Sequence, residues 1–238
     1  MTQSLLALWS APRSRSTVFF RMMLERDDLL AVHEPFCNIA NDGRTEAGDR
    51  VARTPDELMD ALLDLSAGAT VFFKDTTDCR YDEVFAREDF LKGTRHAFLL
   101  RDPREIIPSY AAIRPEMALH EVGVEYLHRI HQTVLDAGGE PIVIDSDDLV
   151  DRPGATVRAY CDAVGLPFSE DVLQWLPGER PEWRQSARWH TDVSESSTVR
   201  RTERAYARTV ETDPLLRRYY EHHLPFYEQL FHRRIRIP

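Results

Sequence analysis

Cysteine and lysine are both scarce in this chain of 238 residues. The three cysteines, Cys37, Cys79 and Cys161, form no C-x-x-C pair and show no Cys/His metal spacing, so neither a disulfide framework nor a zinc site is predicted. Only Lys74 and Lys92 are lysines. The other basic residues are arginines, which is typical of a GC-rich bacterial genome and makes Lys74, at a predicted strand end, more notable.

Long apolar runs and flexible linkers are also missing. No run approaches the roughly 20 apolar residues that span a bilayer, and the N-terminal apolar run is too short and lacks a basic region and a cleavage site. We therefore expect a soluble, cytoplasmic protein without a membrane span. Because no Pro/Gly/Ser-rich linker or repeat divides the chain, one domain is predicted over residues 1–238.

The charge balance is acidic, with 40 Asp and Glu against 30 Lys and Arg and a net charge of −10. Nucleic acid and anionic membranes require a broad basic face, so neither is predicted as a partner. Any site for an anion must then be built from a local cluster of basic residues.

Short apolar runs alternate with helical stretches along the chain, which predicts an α/β fold with a mainly parallel central sheet flanked by helices. The predicted strands are residues 5–9, 30–33, 70–73, 97–100 and 141–144. The predicted helices are residues 17–26, 55–65, 103–113, 117–137, 154–164 and 170–175, with two more in the C-terminal quarter. Residues 36–54, 76–81 and 177–198 show no periodicity, and we interpret them as long functional loops that recognise a substrate.

Residues 4–23, SLLALWSAPRSRSTVFFRMM, place an apolar strand, a basic turn and an apolar helix in direct succession. A helix that begins at Ser16 or Thr17 directs free N–H groups and its positive dipole end toward the turn, where a phosphate satisfies both. The donors around this helix start are the side chains of Arg13, Ser14, Arg15, Ser16 and Thr17. If the turn stood alone, Ser16 as a simple helix cap beside two exposed arginines would be the favoured interpretation.

The turn differs from the common phosphate-binding loop G-x-x-x-x-G-K-[ST]. It has neither the glycines nor the lysine, because Ser16 precedes Thr17 where the lysine would stand. We infer a nucleotide whose reaction does not use Mg-ATP chemistry.

A second segment, RHAFLLRDPREIIPSY at residues 95–110, is predicted to be a strand that ends at Arg101, a turn and a helix. Arg101 at the strand end and Ser109 on the helix could bind a second phosphate in the crevice where doubly wound sheets bind ligands. The alternative is that Arg101 caps the sheet and Ser109 is an ordinary helix residue. The two segments together imply a nucleotide with two distant phosphate groups.

In these residues the chain resembles sulfotransferases that use 3′-phosphoadenosine 5′-phosphosulfate (PAPS). The turn APRSRST is similar to the 5′-phosphosulfate loop of that family and RDPREIIPSY to its 3′-phosphate motif, and the segment PIVIDSDDL at residues 141–149 is similar to its late strand and acidic turn. The resemblance implies a P-loop-like fold, PAPS as co-substrate and no metal. It also implies phosphate contacts from the turn residues 13–17, Arg101 and Ser109.

The sequence departs from the family at three places. Arg15 stands where the family most often has Gly, and Thr76 stands where the cytosolic subgroup has its catalytic His. The glycine-rich C-terminal nucleotide segment has no counterpart, although residues 189–201 could do the same work. Trp183, Trp189 and His190 are candidates for stacking on adenine or acceptor, or for core or lid packing.

Sulfuryl transfer to a hydroxyl needs a base and positive charge on the departing phosphate. The resemblance favours Glu34, directly before Pro35 in AVHEPF, as the base, with His33 as the alternative. Lys74 and Arg13 are the predicted cations on the leaving phosphate. Glu34 could instead be a structural partner of Arg13 or Lys74, and Lys74 a solvated strand-end residue.

Three functions remain open from the sequence. The first is a PAPS-dependent sulfotransferase acting on a hydroxyl, or less readily an amine, of a small molecule or glycan. The second is a P-loop phosphotransferase in which the strand-end Asp145 would hold magnesium. The third is a nucleotide-binding relative without turnover.

Overall fold

The strands and helices alternate along the chain in the computed structural model, which describes residues 4–183, 191–201 and 204–237. The strands are Leu5–Ser10 (β1), Leu30–His33 (β2), Thr45–Ala47 (β3), Arg50–Ala52 (β4), Val71–Thr76 (β5), Thr94–Leu100 (β6) and Ile142–Asp145 (β7). Parallel pairing joins five of them in the order β2-β5-β1-β6-β7, while β3 and β4 form a separate antiparallel hairpin. The predicted α/β class with a mainly parallel sheet is confirmed.

Most helices begin at a proline, which has no N–H to satisfy, or directly after a side chain that accepts a hydrogen bond from one of the first N–H groups. The helices are Ser16–Leu24 (α1), Pro35–Asp42 (α2), Pro55–Ser66 (α3), Glu88–Gly93 (α4), Pro103–Ala111 (α5), Val124–Asp136 (α6), Ser146–Asp151 (α7), Pro153–Val164 (α8), Thr191–Ser194 (α9) and Pro214–His232 (α10). Short 3-10 turns cover Asp82–Ala86, Leu119–Val122 and Asp171–Leu173. Within the described ranges, no helix combines the length and apolarity needed to cross a membrane.

Helices cover both faces of the sheet, and β1 is accordingly apolar at every position except its last. Leu5, Ala7 and Trp9 belong to the core that contains residues of α3 and α6. Leu6 and Leu8 point to the opposite core, which contains residues of α1 and α8. Strands buried on both faces are typical of parallel sheets, and they leave only the strand ends open to ligands.

Two of the predicted irregular or helical segments are wrong. Residues 36–54 form α2 and the β3–β4 hairpin, whose elements are too short for periodicity to detect. The single helix predicted at 117–137 is broken at Gly123, which has φ 79° and separates the 3-10 turn Leu119–Val122 from α6.

Smaller errors concern helix and strand ends. At residues 170–175 the chain forms only the 3-10 turn Asp171–Leu173, not an α-helix. The strand predicted to end near Lys74 continues to Thr76, so Lys74 lies inside β5 and is 1% exposed. Its hydrocarbon stem and its neighbours therefore place it in the core, which excludes the solvated strand-end interpretation.

Asp75, the next residue of β5, ties the sheet to α2. Its carboxylate accepts hydrogen bonds from the backbone N–H groups of Phe36 at 2.6 Å, Cys37 at 3.3 Å and Thr76 at 2.9 Å. Burial, and then the negative charge of Glu34, raise the pKa of Asp75 to about 7, against the effect of these donors.

We expect Gly123→Ala to unfold more easily than the wild type. A Cβ at Gly123 would lie 2.6 Å from Thr77 Oγ1 and 2.9 Å from Pro12 Cδ, and such overpacking costs roughly 1–3 kcal/mol. Gly138→Ala is the matched control, since Gly138 has φ 84° but nothing within 4 Å of its Cβ position. Urea denaturation should show the larger loss for Gly123→Ala, and equal losses would contradict the close packing.

The raised pKa of Asp75 predicts a stability that depends on pH. Between the unfolded pKa of about 4 and the folded value of about 7, the folded state retains a proton that the unfolded state has lost. The free energy of unfolding should therefore fall as pH rises through this range.

Asp75→Asn removes this titration, so the stability of the wild type relative to Asp75→Asn should decrease from about pH 4 to about pH 7. Urea titrations at several pH values measure the difference. Glu83→Gln, a change of an exposed carboxylate, should give a curve parallel to the wild type. A difference that grows with pH would mean that the backbone donors hold the pKa of Asp75 below its ordinary value.

Candidate active site

A cavity of about 760 Å³ lies at the carboxyl ends of β1, β5 and β6. Its walls come from the turn after β1, the start of α1, α2, the turn after β5, α5 and the C-terminal segment. Parallel strands bring these turns to one edge of the sheet, so residues far apart in sequence meet there. Of the predicted site residues, the cavity is lined by Arg13, Arg15, Ser16, Thr17, Glu34, Lys74, Arg101 and Ser109.

The turn after β1 has the backbone shape of an anion site. Arg13 and Arg15 adopt left-handed conformations, with φ 62° and 65°, and Arg15 is the residue before α1. Left-handed residues within a turn direct neighbouring N–H groups inward to form a concavity that attracts anions. Arg15, which replaces the glycine of related loops, therefore retains the glycine-like backbone at a cost of about 1–2 kcal/mol.

The side chain of Arg15 is held away from the backbone of the turn. Its guanidinium lies 2.7 Å from Asp147 Oδ1 and 3.3 Å from Glu105 Oε2, and it donates to Ser146 Oγ at 3.0 Å. These partners at the ends of β6 and β7 fix the position of the guanidinium, so the N–H groups at the start of α1 stay accessible.

Arg101 and Ser109 both contact the turn. Arg101 donates to the carbonyl oxygen of Arg13 at 2.6 Å and to Glu105 at 2.8 Å, and Arg13 Nε donates to Ser109 Oγ at 3.0 Å. Burial, and then the charge of Arg15, lower the pKa of Arg101. The two predicted sets of phosphate-binding residues thus form one continuous basic surface.

Besides His33, three sequence candidates do not line this cavity. Ser14 is buried, and its hydroxyl has no hydrogen-bond partner in the described part of the chain. Asp145 accepts from the N–H of Asp147 at 2.9 Å and caps α7 on an outer strand. Trp183 is buried, with ring centroids 6.2 Å from Phe20 and 6.0 Å from His33, which favours core packing. Trp189 and His190 lie outside the described residues.

Glu34 and Lys74 form an ion pair inside the cavity. Glu34 has φ 44° and precedes Pro35, the first residue of α2, so its side chain leaves the strand direction. Its backbone N–H also donates to the carbonyl oxygen of Lys74 at 2.7 Å. The pair therefore joins the predicted base to the predicted cation. It is also the contact between Glu34 and Lys74 that the sequence allowed as a structural alternative.

His33 lies on the other side of the backbone. Its ring packs against Phe20 at 4.9 Å and against Trp183, and it does not line the cavity. Burial, and then the charge of Lys74, hold the pKa of His33 well below its ordinary value. Its Nε2 is 3.9 Å from Glu34 Oε1, so it supports the carboxylate from behind more readily than it reaches a substrate.

Sequence spacing missed a cluster at the far wall of the cavity. Ligand atoms of Cys37, Asp78 and Cys79 lie within 4.8 Å of one another, although the two cysteines are 42 positions apart in sequence. Cys37 Sγ donates to the carbonyl oxygen of Thr76 at 3.2 Å, and burial raises the pKa of its thiol. The thiol form is therefore favoured over the thiolate that binds metal.

The C-terminal segment adds basic residues that no motif indicated. Arg200, Arg204 and Tyr206 line the cavity beside the basic turn. Arg200 lies within residues 189–201, the segment predicted to replace the glycine-rich nucleotide segment. The only available signal was the density of arginine in an otherwise irregular stretch, and that signal does not specify a role.

Solved structures that are similar to this chain include two sulfotransferases. A sulfotransferase domain from the curacin biosynthetic pathway is 15% identical with a TM-score of 0.49, and the alignment covers 83% of this chain and 84% of that one. A sulfotransferase from Alicyclobacillus acidocaldarius is 16% identical with a TM-score of 0.49, over 82% of this chain and 94% of that one.

Sequence relatives are closer in identity. "Branched-chain-amino-acid aminotransferase-like protein 2" of Arabidopsis thaliana is 29% identical over 209 residues, which cover 84% of this chain but only 37% of the relative. The model of the family described as "Sulfotransferase domain" matches residues 4–234. The chain therefore belongs to the sulfotransferase domain family.

Proposed function

We propose that this chain transfers a sulfuryl group from PAPS to a hydroxyl of a small polar molecule or glycan. The observation that carries the proposal is a single cavity containing the basic turn before α1, the Arg101–Ser109 pair and the Glu34–Lys74 ion pair. A donor site, a cation and a base are the parts that sulfuryl transfer requires.

The basic half of the cavity suits the nucleotide. The start of α1, with Ser16 and Thr17 at the cavity wall, offers N–H groups and hydroxyls to the 5′-phosphate. Arg101 and Ser109 lie beside this site. The Arg101 guanidinium pairs with Glu105 in the free protein, and a 3′-phosphate would take the place of this carboxylate as its partner. Arginines from the C-terminal segment close this side of the cavity with further positive charge.

The ion pair marks the position of the chemistry. The Glu34 carboxylate takes the proton of the acceptor hydroxyl while the acceptor oxygen forms a bond to sulfur. The bond between sulfur and the 5′-phosphate oxygen breaks, and its electron pair leaves on adenosine 3′,5′-bisphosphate. Once Glu34 is protonated, Lys74 loses its anionic partner and stabilises the new charge on the leaving phosphate, together with Arg13.

A phosphotransferase is less well supported. Magnesium-dependent phosphoryl transfer needs a carboxylate near the phosphates, whereas Asp145 caps α7 outside the cavity. The lysine of the cavity belongs to β5 and pairs with Glu34, whereas a P-loop carries its lysine within the loop itself.

We expect adenosine 3′,5′-bisphosphate to bind more tightly than 5′-AMP, because only the bisphosphate engages Arg101. Charge-assisted hydrogen bonds contribute about 1.5–3 kcal/mol each, so Arg101→Lys should weaken the bisphosphate about tenfold or more and leave 5′-AMP nearly unchanged. Isothermal titration calorimetry measures both affinities.

Arg104→Lys is the matched control, because Arg104 lies three residues from Arg101 at the start of α5, is exposed and pairs with Glu211. Binding should be unchanged in this variant. If ATP with magnesium binds and the bisphosphate does not, the phosphotransferase replaces the sulfotransferase as the proposed function.

We expect Glu34→Gln to lower kcat by about 10²–10⁴, the range of general-base catalysis, while affinity for the bisphosphate changes only a few-fold. Glutamine keeps the shape and one acceptor oxygen for Lys74 but removes the counter-charge of the buried ammonium, so the loss is assigned to the missing base once urea unfolding shows that the variant is folded. Rates of transfer from radiolabelled PAPS and calorimetry separate the two effects.

Two variants control this experiment. Glu83→Gln makes the same chemical change at an exposed position outside the cavity and should retain full turnover. His33→Gln should retain most turnover as well. Full activity in Glu34→Gln together with its loss in His33→Gln would assign the base to His33.

A further inference from the structure

The half of the cavity beyond the Glu34–Lys74 pair has a hydrogen-bonding wall. Side chains from α2, the turn after β5, α5 and the 3-10 turn Leu119–Val122 contribute Asn38, Asn41, Asp78, Tyr110, His120 and Glu121. A flat apolar acceptor would take these polar groups out of water without replacing their hydrogen bonds, at a cost of about 1–3 kcal/mol for each. This wall suits an acceptor that is polar over its whole surface.

Asp78 is distinguished from the other groups of this wall by its hydrogen bonds. The Tyr110 hydroxyl donates to Asp78 Oδ2 at 3.1 Å. The second oxygen, Oδ1, is buried and meets no donor at good hydrogen-bond geometry among the described residues, although the Thr76 hydroxyl and the N–H of Asp78 itself lie near the carboxylate. Buried polar atoms in native proteins are almost always paired, so this oxygen is a position for a donor supplied by a ligand.

The neighbouring charges are already neutralised. Glu34 pairs with Lys74, and Glu121 lies 2.9 Å from Arg114. Arg80, two residues from Asp78, is held 4.3 Å above the ring of Tyr126. Asp78 itself forms no ion pair with the described residues. It is the carboxylate with a buried oxygen for which the described residues supply no counter-charge, whereas Asp42, which also lines the cavity, is exposed to solvent.

Asp78 and Glu34 also repel each other. Burial, and then the charge of Glu34, raise the pKa of Asp78. A cation bound at Asp78 would offset the negative charge that Asp78 and Glu34 bring to this part of the cavity.

We infer that the acceptor carries a protonated amine beside the hydroxyl that is sulfated, and that the amine pairs with Asp78 while the hydroxyl lies at Glu34. This inference rests on the proposed function and adds the substrate class, an amino alcohol or amino sugar. Tyr110 orients the carboxylate through its hydrogen bond, and the polar wall binds the remaining hydroxyls.

The test compares acceptors that differ only in an amine. Glucose with glucosamine, ethylene glycol with ethanolamine, and para-ethylphenol with tyramine are assayed with radiolabelled PAPS in the presence of EDTA, so that no divalent metal ion competes with the amine for Asp78. For any pair whose compounds serve as acceptors, we expect kcat/KM to be at least about tenfold higher for the amine than for the neutral alcohol. Binding of the same compounds is measured by calorimetry with adenosine 3′,5′-bisphosphate present.

Asp78→Asn keeps the shape and an oxygen for Tyr110 but removes the charge. It should abolish the preference for the amine by lowering kcat/KM and affinity for the amine about tenfold or more, while the neutral alcohols keep their values. Asp136→Asn, at an exposed position on α6, should retain the preference.

The outcomes separate the inference from the proposed function. Equal use of the amine and the neutral alcohol, or a preference that survives in Asp78→Asn, overturns the inference and leaves sulfuryl transfer intact. Failure of the protein to bind the bisphosphate overturns the proposed function. Amine binding that depends on Asp78 would still support the amine site in that case, and its absence would overturn the inference too.

Discussion

The buried ammonium of Lys74 is the constraint on which the rest of the site depends. Its side chain is 1% exposed within β5, opposite His33 on one neighbouring strand, and a buried charge without a partner costs several kcal/mol. Glu34 supplies this partner by adopting a left-handed conformation, at φ 44°, at the end of β2. The helix α2 begins at the next residue. The strain is maintained by the ion pair and by the backbone bond from Glu34 to Lys74. One charge inside the sheet thus fixes the position of the candidate base, the direction of α2 and the wall of the acceptor half.

The same pair divides the cavity into two electrostatic halves. Arginines from the turn after β1, from the end of β6 and from the C-terminal segment surround one half. Carboxylates and amides line the other, together with Arg80 and with Arg114, which pairs with Glu121. A chain with a net charge of −10 therefore concentrates its positive potential where a bisphosphate nucleotide would bind. The acceptor half attracts polar or cationic groups. In the proposed reaction the reacting bond would lie at the boundary, where Glu34 and Lys74 are already in contact.

Much of this arrangement could be predicted from the sequence because parallel strands are continuous apolar runs and their turns meet at one edge. The strand at residues 30–33 was predicted with its observed bounds, and prolines marked the starts of α3 and α5. The prediction failed where three-dimensional contacts decide the structure. The break at Gly123 follows from the close approach of Pro12 and Thr77, and the burial of Lys74 follows from strands on both sides of β5. Nothing in the sequence around Cys37 indicates that it lies beside Asp78 and Cys79.

The turn after β1 shows why a motif can lose its typical residues and keep its shape. Glycine is usual in such loops because it adopts left-handed backbone at no cost, yet Arg13 and Arg15 adopt it here. The strain is offset because the side chain of each is anchored to other elements: Arg15 to Asp147 and Glu105, and Arg13 to Ser109. Since Glu105 also binds Arg101, the turn and the end of β6 share one counter-ion. Related loops use glycine for this left-handed conformation, whereas here side-chain contacts hold the two arginines in it. The arginines therefore both shape the loop and line the cavity.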